Sequence, residues 1–204
     1  MNLILASKSP RRKEILENLG LDFEIITSEA DESYDEGMNP SDVVMLLSAK
    51  KATAVKEKLL RDGVDLSDTV IIAADTVVFA KNEILGKPSD KEDSVRMLKM
   101  LRGSTHSVLS GITVIFDGSS ASAYEETFVK FAEMSDEDID WYVRSGETCD
   151  KAGAYAIQGH ASMFIRSIEG CYFNVVGLPV AALTALLSRV FGIKLLEHLG
   201  APKC

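Results

Sequence analysis

"TVIIAADTVVFA" (residues 69–80) is an almost unbroken run of apolar and β-branched residues, the most strand-like segment in the chain. One residue interrupts it. Asp75 stands in the middle, with Ile71, Ile72, Ala73 and Ala74 before it and Val77, Val78 and Phe79 after it. Aspartate is depleted in strands, and a buried carboxylate is costly unless it is paired. Two roles fit it: a strand-end cap on a neighbouring turn, or a carboxylate held by the sheet for metal binding or general-base work.

Outward from this segment, strand-like runs alternate with capped helical ones, which gives an α/β class. Upstream, Leu3–Ala6 reads as a short buried strand and Phe23–Thr27 as a second. Asn39 and Pro40 open a long helix that ends near Gly63, with Val44, Leu47, Ala52, Val55 and Leu59 along one side. Downstream, Asn82–Glu83 is expected to turn the chain into Ile84–Leu85, and Ser89 with Glu92 reads as a capping box for a helix to Gly103. Strands are expected at 105–117 and 122–133, then a helix from the cap Ser135 to Gly146. A strand pair over about 162–176, turning at Glu169–Gly170, leads to a helix opening at Pro179. No linker divides the chain.

The first helix breaks a rule that the Ser135 helix obeys. Ser9 is placed as its N-cap and Pro10 at its first position, yet Arg11, Arg12 and Lys13 fill its first turn, with Lys8 just before. Cations there oppose the helix dipole by about 0.3–1 kcal/mol each. A solvated basic face is one reading. A phosphate site is the other, using helix N–H groups, the Ser7 and Ser9 hydroxyls and bidentate arginine contacts. There is no GxxxxGK[ST], so this is not a P-loop.

Other residues join this pattern. The acidic loop "SEADESYDEG" (28–37) offers Glu29, Asp31, Glu32, Asp35 and Glu36 as solvated charges or as oxygen ligands for Mg²⁺. Lys87 in "LGKPSD" (85–90) follows a strand and precedes a capped helix, a place for plain surface or for a phosphate contact. In "DKAGAYAIQGHA" (150–161), Gln158 suits the edge of a base or a backbone contact. His106, His160 and His198 show no metal-ligand spacing, and no nucleophile motif points to covalent catalysis.

Composition narrows the partners. Acidic residues outnumber basic ones 31 to 22, for a net charge of -9, which disfavours nucleic-acid backbone and anionic membrane surfaces. The 46% hydrophobic content allows a full core. Cys149, Cys171 and Cys204 lack paired spacing and read as reduced thiols of a cytoplasmic chain. Residues 171–188 carry no charge, but Asn174, Gly177 and Pro179 break the run, so no membrane span is expected.

Taken in order, "LASKSPRR" (5–12), "DE" (31–32), "AKKA" (49–52), "AADTVV" (73–78), "GKP" (86–88), "LRGSTHSV" (101–108), "DKAGAYAIQG" (150–159) and "VVGLP" (175–179) resemble the Maf family of nucleoside triphosphate pyrophosphatases. The resemblance spans nearly the whole chain. It implies one Maf-like domain over 1–204, with two lobes around a deep central cleft. The implied fold is an elongated, twisted mixed α/β sheet flanked by helices, shared with the inosine triphosphate pyrophosphatases. It also implies hydrolysis of a nucleoside triphosphate to the monophosphate and pyrophosphate with a divalent cation, Mg²⁺ or Mn²⁺, and a homodimer.

By the same resemblance, Asp75 matches the proton acceptor for the attacking water, and Ser7, Arg12, Lys51 and Lys87 match phosphate-binding positions. Glu32 matches an acidic residue near the metal, which Asp75 is also expected to bind. Arg11, Thr76 and Gln158 match the branch acting on dTTP and UTP. The chain departs from the family pattern at Ala156 and in "GHASMF" (159–164), where more glycine is usual. The alternative reading from the resemblance is a nucleotide-binding regulator of cell division with little or no hydrolysis.

Overall fold

The structure is a computed structural model, and it describes residues 1–27 and 29–199. Cys204 lies outside the described residues. The chain forms β1 (Asn2–Leu5), α1 (Pro10–Asn18), β2 (Glu24–Ile25), α2 (Pro40–Arg61), β3 (Thr69–Ala80) and β4 (Glu83–Leu85). It continues through α3 (Lys91–Leu101), β5 (Thr105–Phe116), β6 (Ser119–Phe131), α4 (Asp136–Arg144), β7 (Ile165–Glu169), α5 (Tyr172–Val176) and α6 (Val180–Phe191).

The strands make one seven-stranded mixed sheet in the order β2-β1-β3-β5-β6-β7, with β4 paired to β3. β1 runs parallel to both β2 and β3, with Leu3 opposite Val70 and Leu5 opposite Ile72. β4 and β7 are antiparallel to their neighbours. The run 69–80 is a strand over its whole predicted length, so Asp75 sits in mid-strand rather than at an end.

Two compact units are traced by the chain. The first contains Met1–Asp75 and Ser110–Glu125 and resumes at Gly177. Its core joins Ile4 and Ala6 to Ile71, Ala73 and Ile115 of the sheet and to Ala52, Val55 and Leu59 of α2. Each isoleucine, valine or leucine among them stabilises the fold by about 1.5–3 kcal/mol when fully buried. α2 lies close on β5: a Cβ at Gly111 would come within 2.2 Å of the Val44 carbonyl oxygen, so only glycine fits there. Ser48 Oγ lies 2.8 Å from Thr113 Oγ1, a buried hydroxyl pair that fixes the middle of α2, and Thr113 Oγ1 is in turn 2.8 Å from the exposed Ser122 Oγ.

The second unit, Thr76–Leu109 and Glu126–Val176, packs α3 and α4 over a core that includes Leu98, Leu101, Phe131, Ile139, Tyr142 and Tyr155. Ser135 caps α4 as expected, and the structure adds a capping box with Asp138, with Asp136, Glu137 and Asp138 in the first turn.

Four local expectations change. β2 is shorter than Phe23–Thr27. The β3–β4 hairpin turns at Lys81 and Asn82, both at positive φ (49° and 63°), as a two-residue loop requires. Asp90, not Ser89, caps α3: its side chain accepts from Asp93 N at 2.7 Å, while Asp93 reaches back to Ser89 N at 3.0 Å.

The fourth change is larger. After Glu169 the chain does not return as a strand; residues 172–176 form α5. Cys171 exchanges hydrogen bonds with Thr127 Oγ1, and buried Asn174 donates to Thr127 Oγ1 and to Val108 O, both at 2.9 Å. These tertiary bonds override the strand preference of Val175 and Val176. No helix among the described residues is long and apolar enough to cross a membrane.

Candidate active site

Asp75 is the reference point. It is 8% exposed and its Oδ1 accepts from Lys51 Nζ. Lys51 also pairs with Glu32 Oε1 at 3.1 Å, so one ammonium joins the mid-strand carboxylate to the acidic loop. Local sequence explains the geometry. Lys51 lies on α2, one turn of helix from the Ser48 anchor, and its neighbour Lys50 donates to Asp31 Oδ2 at 3.1 Å and to the Ser33 carbonyl at 2.7 Å. Lys58, two turns on, donates to the Thr27 carbonyl at 3.2 Å. Three lysines of one helix therefore hold Thr27 and the stretch from Asp31 to Ser33. Asp31 is held down to about 2 by its hydrogen bonds to Ser33 and Lys50.

The basic first turn of α1 does not present a uniform charged face. Arg12 turns inward and is 8% exposed. Its Nε donates to Gly177 O at 2.8 Å, and its Nη1 donates to Ala74 O at 2.7 Å and to Ser7 Oγ at 3.0 Å. Burial presses its pKa down, the Asp75 charge opposes that shift, and Arg11 adds to it. Ser7 is buried, and its hydroxyl oxygen also accepts from Ser9 N at 3.2 Å. Ser9 holds the N-cap position, but its side chain makes no capping bond. Arg11 is half-exposed, and no acid offsets the first turn of this helix.

Ser7, Arg12, Glu32, Lys51 and Asp75 are thus linked by direct bonds through Arg12, Lys51 and the Ala74–Asp75 backbone. Of the remaining sequence candidates, Arg11 belongs to the first unit, and Thr76, Lys87 and Gln158 belong to the second. Thr76 follows Asp75 on β3 and is half-buried; Lys87 is exposed between β4 and α3; Gln158 is exposed on the turn before a short 3-10 stretch at His160–Phe164. Sequence reasoning missed Lys50, though its signal was visible as the paired lysines of "AKKA", and it missed the Ala74 and Gly177 carbonyls, for which no signal exists.

A buried strand carboxylate on a lysine, a second carboxylate on that same lysine and a basic helix start gather charges of both signs around Asp75. The family model described as "Maf-like protein" matches residues 2–190 of this chain. The chain belongs to the Maf family. Curated relatives agree along nearly the full length. A dTTP/UTP pyrophosphatase of Thermoanaerobacter sp. (strain X514) is 46% identical over 96% of this chain and 100% of its own. One of Bacillus anthracis is 46% identical over 92% of this chain and 94% of its own, and one of Caldanaerobacter subterraneus subsp. tengcongensis 48% over 95% and 91%. Among solved structures, the Staphylococcus aureus Ham1 protein aligns at a TM-score of 0.42 and 13% identity over 65% of this chain and 73% of that one, too distant to bear on function. In this Maf-family chain the "AADTVV", "AKKA" and "DE" segments meet physically, through Asp75, Lys51 and Glu32.

Proposed function

We propose that this Maf-family chain hydrolyses dTTP and UTP to the nucleoside monophosphate and pyrophosphate, with Asp75 as the general base. The observation that carries the reading is the Asp75–Lys51–Glu32 arrangement beside the Arg12 clamp. The names of its relatives support the substrate class.

In this mechanism water attacks the α-phosphorus, forming the new P–O bond as the bond to the bridging oxygen of the pyrophosphate breaks. Asp75 orients the water and takes its proton. Lys51, on a long flexible stem, passes from its carboxylate partners to the incoming phosphates, and Arg11 and the start of α1 add positive potential. Arg12 holds the backbone beside Asp75 and lends its charge to the phosphates, with Ser7 as its partner. Lys87 contacts the phosphates, and Arg11, Thr76 and Gln158 select the base, as the resemblance assigns.

The donor set suits a divalent cation. Asp75 and Glu32 point oxygens at one shared position, and Mg²⁺ or Mn²⁺ favours such hard donors. Asp75 and Glu32 would hold the cation; among the described residues no group of three or more His, Cys, Asp or Glu gathers. When bound, the cation supplies charge neutralisation at the phosphates.

The test is pyrophosphate release from dTTP, UTP, CTP, GTP and 7-methyl-GTP, each with Mg²⁺, with Mn²⁺ and with chelator. Metal-dependent release concentrated on dTTP and UTP is expected. Strong release from 7-methyl-GTP overturns the base assignment. Binding without release from any triphosphate favours a nucleotide-binding regulator.

A further inference from the structure

The turn that carries Gln158 is held by a residue outside the site described above. Glu147 follows α4, and its side chain is three-quarters buried. Both of its carboxylate oxygens accept from the backbone N–H of His160, at 3.1 and 2.9 Å. The His160 ring meets the same carboxylate, Nδ1 to Oε1 at 2.8 Å. Gly159 makes room for this: a Cβ there would stand 2.3 Å from Glu147 Oε2. On the other side of Gln158, Tyr142 OH accepts from Ala156 N at 3.3 Å, and the hydroxyl of buried Tyr155 lies 2.8 Å from His106 Nε2. An exposed glutamine is thereby held between two fixed points.

We infer that Glu147 is a positioning residue for base selection: its carboxylate, bound to His160 N–H, fixes the Gln158–Gly159–His160 turn in the conformation that presents Gln158 to a pyrimidine edge. A charged acceptor on a backbone donor makes a strong, directional bond. A side-chain amide discriminates bases only when its own backbone is fixed, because a pyrimidine edge is read by the placement of one donor and one acceptor. The inference rests on the proposed function, and it assigns a specificity role to a residue that touches no base.

The chain supplies its own reporter. Trp141 is the only tryptophan, and its ring stands edge-on to the His160 ring at 5.3 Å between centroids. Glu147→Ala, Glu147→Gln, Gly159→Ala and Gln158→Ala are compared with wild type in steady-state hydrolysis of dTTP, UTP, CTP and GTP and in Trp141 emission. For Glu147→Ala we expect KM for dTTP and UTP to rise about tenfold with kcat within about threefold, the mark of lost binding rather than lost chemistry. Selectivity over CTP and GTP falls about tenfold, and Trp141 emission shifts. Gly159→Ala, whose Cβ displaces the carboxylate, reproduces this. Glu147→Gln, which keeps one oxygen for His160 N–H, recovers most of it.

Selectivity lost in Gln158→Ala but kept in Glu147→Ala overturns the inference and leaves the proposed function standing. An equal fall of kcat on every substrate in Glu147→Ala also overturns it, since that marks a structural role alone. Selectivity kept in both variants overturns the base-reading role of Gln158, and this inference with it.

Discussion

Arg12 Nη1 donates to the carbonyl oxygen of Ala74 at 2.7 Å, one residue before Asp75. The same side chain holds Gly177 O through Nε at 2.8 Å. One guanidinium thus joins the start of α1, the middle of β3 and the approach to α6. A sequence reading that points every first-turn cation at a phosphate overlooks this work. Here the arginine fixes the backbone from which the proposed base projects.

Arg12→Lys is therefore not conservative. An ammonium lacks the planar fork that spans two carbonyls. Hydrogen bonds to charged groups contribute about 1.5–3 kcal/mol each, so the variant is expected to lose about 2–4 kcal/mol of stability. Urea denaturation measures it. An unchanged midpoint contradicts the clamp.

Lys51→Met removes the cation between Glu32 and Asp75 and leaves two carboxylates aimed at one point. Removing such preorganised charge is expected to cut kcat/KM for dTTP by about 10²-fold or more. Turnover within about threefold of wild type rejects the role given to Lys51.

His106 sets an acid limit on stability. It is 2% exposed, its Nδ1 has no hydrogen-bond partner, and burial lowers its pKa to about 4. Its value in the unfolded chain is about 6.5. The unfolded state therefore takes up the proton first as pH falls, and stability declines from about pH 6.5 down to about pH 4. Between pH 7.5 and pH 5 the wild type is expected to lose about 2 kcal/mol more than His106→Gln. Equal losses in both chains, measured by denaturation at each pH, contradict this.

Much of the fold was legible because the signals were local. The apolar run 69–80 is a strand from end to end, and the caps Ser9, Asn39 and Ser135 stand where expected. What sequence did not show depended on distant partners. The 171–176 segment is rich in β-forming residues, but Asn174 and Cys171 bond to Thr127, 44 or more positions away. In the site, Asp75 stood out as a charge in an apolar run, whereas the inward turn of Arg12 depends on carbonyls 62 and 165 positions away.

The most direct test of the central claim compares wild type with Asp75→Asn. Pyrophosphate release from dTTP is followed for both, with nucleotide affinity measured by calorimetry on the same preparations. A fall in kcat of at least about 10²-fold is expected, the scale of a lost general base. Nucleotide affinity is predicted to stay within about threefold. Near-normal turnover in Asp75→Asn would contradict the central claim.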